Sequence, residues 1–215
     1  MIRLRQLAIG VICTWACLAS SAQNLISNPG NELPLVGGNI QGWTEVQGTQ
    51  WTQREADPSP FEGASYFFAG AVADATLRQV ISVSSLSDQI DAGVMLFEFS
   101  GWVRSWPQSP SDTSRIVLSL LDNSGSTLVS FDSGIYADPS AWENVAFSLV
   151  APALTRSVSI DLVAHRNAGS NNDGYFDDLS LIAAVVPEPS SSALFGIGSL
   201  GLLLARRLRR KQNER

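Results

Sequence analysis

The sequence predicts an all-β fold, a β-sandwich, over residues 23–185. Three observations predict it. Apolar residues there recur with period two and not 3.6, as in strands that bury one face. Gly, Pro and Asn punctuate the apolar runs at short intervals. No stretch carries a convincing amphipathic helix, and only Ser85 to Asp91 fits a single helical turn.

The strands follow in order. The first four runs fall near 43–47, 50–54, 65–69 and 76–83. Next, Phe97, Phe99, Gly101 and Val103 alternate with Glu98, Ser100, Trp102 and Arg104. Runs near 115–121 and 127–131 are joined by Leu121-Asp122-Asn123-Ser124-Gly125-Ser126, which reads as a hairpin loop. Val145, Phe147 and Leu149 alternate with Asn144, Ala146 and Ser148, and Val158, Ile160, Leu162 and Ala164 with Ser157, Ser159 and Asp161. A last strand covers 174–182. Trp43 and Trp142 are expected in the core. A region of roughly 160 residues buries about 70% of its unfolded surface, enough for a core without cross-links.

Charge is unevenly distributed along the 215 residues. Of 14 basic residues only six lie between Gln23 and Val186: Arg54, Arg78, Arg104, Arg115, Arg156 and Arg166. The same stretch holds 18 of the 20 acids, a formal charge of −12. Such a surface repels phosphate backbones and argues against a nucleic-acid partner. Both cysteines, Cys13 and Cys17, lie outside it, so disulfides and thiolate metal sites are excluded from its core.

The ends read as targeting segments. Residues 1–22 have a positive start (Arg3, Arg5), a short apolar run (Leu7 to Leu18) and small residues at Ser20-Ser21-Ala22. This is the pattern of a signal helix for Sec-type export, cleaved between Ala22 and Gln23. An uncleaved anchor is the alternative. At the other end, Val186-Pro187-Glu188-Pro189 precedes an apolar run from Ser191 to Ala205 and a basic cluster, Arg206, Arg207, Arg209, Arg210 and Lys211. The run spans about 22 Å as a helix, a short transmembrane helix that inserts with flanking arginines snorkelling. Those arginines stay cytoplasmic and place the acidic domain outside.

Residues 186–211 resemble the PEP-CTERM sorting signal of exported bacterial proteins. The resemblance implies that an exosortase-type membrane enzyme recognises Pro187, Glu188 and Pro189. The inner membrane then holds the chain before processing, and the product ends at the cell surface or outside. An ordinary anchor with a rigid linker is the plainer alternative. Gly196-Ile197-Gly198-Ser199-Leu200-Gly201 fits G-x-G-x-x-G in spelling, but it lies inside the apolar run with too little chain after it for a βαβ unit. Nucleotide binding is not expected.

The segment Asn24-Leu25-Ile26-Ser27-Asn28-Pro29-Gly30-Asn31-Glu32, then Gly42-Trp43, Glu62-Gly63-Ala64-Ser65-Tyr66-Phe67 and Gly174-Tyr175-Phe176-Asp177-Asp178-Leu179-Ser180-Leu181 appear in this order. This order resembles the galactose-binding-like jelly roll of many carbohydrate-binding modules, with Asn31 where the family carries an aromatic. The resemblance implies a structural Ca²⁺ where first and last strands meet, held by Glu32, Asp177 and main-chain carbonyls; no other cofactor is called for. Calcium takes six to eight oxygens, which this domain can supply. The residues alone add that Asp177 shares strand parity with Tyr175, Leu179 and Leu181. If that face is the core, its carboxylate is buried and needs hydrogen bonds or a cation. Capping of backbone N–H groups is the alternative role.

For a ligand, the aromatics matter most. Trp102 and Arg104 share the strand face opposite Phe97 and Phe99, with Trp106 just beyond the strand end. His165, Arg166 and Asn167 end another strand. An indole beside a guanidinium stacks a sugar ring and bonds its hydroxyls. The expected ligand residues are Trp102, Arg104, Trp106, Arg166 and Asn167. Catalysis is not expected: H-E-x-x-H and G-x-S-x-G motifs are absent, and His165 is the one histidine. Strand neighbours such as Asp177 and Asp178 point to opposite faces and should not flank one bond. The expected function is an exported, non-catalytic polysaccharide-binding surface or matrix protein. A matrix protein that contacts other proteins is the rival, and a secreted glycoside hydrolase a remote third.

Overall fold

A computed structural model describes residues 23–186. The readings for 1–22 with Ala22, for Pro187, Glu188 and Pro189, for the 191–205 span and for the basic residues Arg206, Arg207, Arg209, Arg210 and Lys211 lie outside the described residues. Among the described residues ten strands form: β1 (Thr44–Gln47), β2 (Thr52–Arg54), β3 (Tyr66–Phe68), β4 (Asp74–Ser82), β5 (Met95–Arg104), β6 (Thr113–Leu121), β7 (Thr127–Asp132), β8 (Glu143–Val150), β9 (Ser157–His165) and β10 (Tyr175–Val185). Among the described residues the one helical excursion is a 3₁₀ turn, Ser84–Leu86, running into α1 (Ser87–Asp91).

The strands make two five-stranded antiparallel sheets, ordered β1-β4-β9-β6-β7 and β2-β3-β10-β5-β8, packed as a jelly-roll β-sandwich. Alternation sets the facing of each strand. On β6, Ser114, Ile116, Leu118 and Leu120 are buried while the residues between them are half-exposed. Ile116, Leu118 and Leu120 join Val158, Ile160 and Leu162 of β9, Leu77 of β4, and Phe97, Phe99, Val103, Phe176 and Leu181 of the second sheet in one apolar core. Each such side chain removed from water contributes about 1.5–3 kcal/mol. Gly101 of β5 is needed for close approach: a Cβ there would lie 2.6 Å from Leu179 Cδ2.

The β6–β7 hairpin is closed as the sequence indicates. Asp122 Oδ1 accepts from the N–H groups of Ser124 and Ser126, and Asp122 N–H donates to Ser126 O. Trp43 is in the core and its indole N–H donates to Ser27 O, 3.1 Å. Trp142 is not. It lies half-buried on the outer face of the second sheet, edge-on to Tyr66, and donates to Ser59 O. The position just before β8 faces outward, so volume alone does not place a tryptophan inside.

The largest departure from strict alternation is in β10. The β10–β5 register runs from Asp177↔Trp102 to Ser180↔Ser100, so two residues of β10 oppose one of β5. Asp178 takes φ 43° in this bulge. Tyr175 and Asp177 therefore face outward from the sandwich, whereas Leu179 and Leu181 face the core. Asp177 is buried, but beneath the loop of residues 55–64 and not between the sheets; the expected shared parity with Leu179 and Leu181 is broken by the inserted residue.

Candidate functional site

Two neighbouring features occupy the outer side of the second sheet. The first is an acidic cavity of about 190 Å³ lined by Pro29, Gly30, Glu32, Glu62, Gly63, Asp177 and Asp178. The N-terminal segment reaches it by pairing with β10: Leu25 N–H donates to Leu181 O and Leu179 N–H to Pro29 O. Asp177 Oδ2 accepts from the N–H groups of Phe61 (2.8 Å) and Glu62 (3.2 Å), and Oδ1 from Asp178 N–H (2.8 Å). The carboxylate thus clasps the 55–64 loop. Burial pushes its pKa up to about 7, against the pull of those three donors, and the Asp178 charge adds to the rise. Glu62 is also raised, first by its hydrogen bond to Asp178, then by the charges of Asp178 and Glu32.

Glu32 accepts from Ala64 N–H and Ser65 N–H. Gly63 permits this, since a Cβ there would overlap the Glu32 carboxylate. The bulge brings Asp177 and Asp178 to one cavity, so the rule that strand neighbours diverge fails at this point. Among the described residues no three His, Cys, Asp or Glu side chains are grouped for metal binding. The Glu32 and Asp177 pair fits a hard cation only with main-chain carbonyls completing the shell. Counting lone pairs, each carboxylate keeps capacity beyond the N–H groups it already accepts.

The second feature is aromatic. Loop 55–64 crosses the sheet and lays Phe61 flat on Trp102, 3.8 Å between centroids. Tyr66 and Tyr175 form the buried floor, with Tyr66 Oη donating to Ala56 O. Arg54 lies over Phe68 (4.8 Å), Tyr175 (5.6 Å) and Trp106 (5.9 Å), and pairs with Asp173 at 3.3 Å. Desolvation raises both tyrosine hydroxyls above their ordinary range, which keeps them neutral donors. Arg104 donates to Pro139 O and, among the described residues, makes no carboxylate ion pair.

Of the residues expected to bind ligand, Trp102, Arg104 and Trp106 share this sheet side and its rim. Arg166 and Asn167 lie in the loop after β9 and are engaged with main chain. Arg166 donates to Ala71 O and Ser170 O, and Asn167 to Ser111 O. His165 is turned to Asp74, 2.7 Å, on the outer face of the first sheet. Sequence reasoning missed Arg54, Phe61, Glu62 and Asp178. Arg54 and Phe61 lie in or beside a loop without periodicity, and only Pro58, Pro60 and Gly63 marked that loop.

Residues 185–210 match the model of the PEP-CTERM protein-sorting motif, which marks the chain as an exported protein. No curated protein matches the chain by sequence. Solved structures resemble its fold. One is the carbohydrate-binding module TmCBM61 in complex with β-1,4-galactotriose, with TM-score 0.51 and 16% identity, covering 76% of this chain and 100% of that one. A second is a cyclase from Fischerella sp. TAU, with TM-score 0.54 and 15% identity, covering 78% and 100%. A third is the enzymatically active domain of bacteriophage CBA120 tailspike protein 4, with TM-score 0.53 and 17% identity, covering 76% of this chain but only 21% of that one. At such identities the likeness is one of fold. The chain thus combines a jelly-roll β-sandwich of the kind found in carbohydrate-binding modules with a C-terminal PEP-CTERM protein-sorting motif.

Proposed function

We propose that this is an exported surface or matrix protein whose sandwich binds polysaccharide without catalysis, through the outer face of the second sheet. The observation that carries the reading is the gathering on that face and its rim of incompletely buried rings, Phe61, Phe68, Trp102, Trp106 and Trp142, beside Arg54 and Arg104. Rings offer stacking faces to the C–H surfaces of sugars, and guanidinium groups donate to hydroxyls. The fold likeness to carbohydrate-binding modules supports it. Affinity electrophoresis of the full chain in mild detergent, against gels carrying a polysaccharide panel, tests it. Retardation by one polymer class is expected; equal mobility in every gel overturns the reading.

Two further parts of the proposal concern the ends and the acidic cavity. An exosortase-type enzyme recognises Pro187-Glu188-Pro189, whose prolines hold the segment extended and outside any ladder. The inner membrane holds the chain through 191–205 until then. Alanine at Pro187, Glu188 and Pro189 together should leave the chain in the membrane fraction, and unaltered release would contradict this. In the cavity, Glu32 and Asp177 with main-chain carbonyls hold a structural Ca²⁺, which ties the N-terminal segment to β10 and the 55–64 loop.

A further inference from the structure

Four apolar side chains are exposed around one end of the sandwich. Val150 (51% exposed) ends β8, Leu154 (62%) tips the turn before β9, Val185 (56%) ends β10, and Val186 (42%) follows it. Their backbones converge on residues 91–95. Leu154 N–H donates to Asp91 Oδ1 (2.8 Å), Val186 N–H to Val94 O (2.8 Å), and Ala151 N–H to Met95 O (2.9 Å). The one basic residue of this turn, Arg156, is paired with Asp91 at 2.7 Å.

The conformation of Leu154 is the telling detail. Thr155 N–H donates to Pro152 O (3.2 Å), closing a four-residue turn, and Leu154 takes φ 71° as its third residue. That position favours Gly or Asn, and a leucine there is strained. The sequence thus keeps a leucine where a small residue would fold better, and leaves it in solvent.

The chain outside the structure says what covers this end. Val186, the residue before Pro187, is still hydrogen-bonded to Val94. The apolar run begins at Ser191. Five residue steps reach at most about 18 Å, even fully extended. A rigid sandwich tied that closely to a membrane span has only this end to present to the bilayer.

We infer that the end of the sandwich carrying Val150, Leu154, Val185 and Val186 rests on the lipid interface while the chain is anchored, with Leu154 as the deepest contact. The inference rests on the reading of 191–205 as a membrane span. The contact is apolar: the domain is acidic and Asp88 lies exposed nearby, so anionic headgroups add nothing to it.

Site-directed fluorescence tests it. The chain from Gln23 onward, which contains no cysteine, takes one polarity-sensitive label at Ala153→Cys or, at the opposite end, at Ser170→Cys. It is reconstituted in phosphatidylcholine vesicles containing doxyl-labelled lipid. Flotation with the vesicles, blue-shifted and quenched emission from position 153, and unshifted emission from 170 are expected. Leu154→Gly should restore much of the lost emission at 153 without lowering the melting temperature or flotation. Failure to float overturns the membrane reading and this inference with it. Flotation with equal emission at both positions, or quenching indifferent to Leu154→Gly, overturns the inference alone.

Discussion

The rings of Phe61 and Trp102 lie stacked, 3.8 Å between centroids and 17° between planes, so the 55–64 loop is pinned to the sheet at the β5 residue registered with Asp177. Such a pair contributes about 0.5–1.5 kcal/mol beyond area burial. Phe61→Ala should therefore lower the melting temperature by about 2–4 °C, the shift expected for 1 kcal/mol at this size. Trp51→Ala, which empties a core position, should cost about 3–5 kcal/mol. Thermal unfolding followed by circular dichroism checks both, and an unchanged midpoint for Phe61→Ala contradicts the pinning.

Much of the sandwich was legible because β5, β6, β8 and β9 alternate along most of their length, and alternation is a sequence property. The bulge at Asp178 was not. One inserted residue reverses facing without altering composition, so Asp177 was read with Leu179 when it belongs with Tyr175. The acidic cavity was half legible. Glu32 and Asp177 were named, but Glu62 and Asp178 arrive through the loop and the bulge. Trp142 shows the same limit, since the partner that places it, Tyr66, is distant in sequence.

Asp177 sets a pH dependence. Its carboxyl titrates near 7 when folded and near 3.9 when unfolded. Between those values the folded chain keeps a proton that the unfolded chain has lost. The stability so contributed is full below about pH 4 and is lost as pH rises toward about 7. Glu62, raised by its bond to Asp178, acts with the same sign. Asp91 and Asp132, lowered by Arg156 and Arg115, act with the opposite sign and below this window. In chelator, the melting temperature should fall between pH 4 and 7, and Asp177→Asn should flatten most of that slope whatever its absolute stability. A flat wild-type profile contradicts the buried carboxylate.

Calcium bound only to the folded state raises stability by mass action, about 2.7 kcal/mol at a hundred times its Kd. At neutral pH the melting temperature should rise with free Ca²⁺ and fall in chelator, and Asp177→Asn should abolish the response. A midpoint indifferent to Ca²⁺ contradicts the metal site.

Gly63 is predicted to tolerate no side chain. It takes φ 67°, and a Cβ would overlap the Glu32 carboxylate. Gly63→Ala should destabilise the fold by about 1–3 kcal/mol through backbone strain and shrink the Ca²⁺ response by displacing Glu32. Denaturant unfolding with and without Ca²⁺ measures both effects, and wild-type values would contradict the packing of Glu32 on this loop.

Binding on the second sheet is tested most directly by the polysaccharide retardation of three forms of the full chain: wild type, Trp102→Ala with Arg104→Ala, and Val80→Ser on the outer face of the first sheet. Retardation of the wild type and of Val80→Ser is expected, with its loss in the double variant while the fold still melts cooperatively. Retardation kept by the double variant, or lost only with Val80→Ser, would contradict binding on the second sheet.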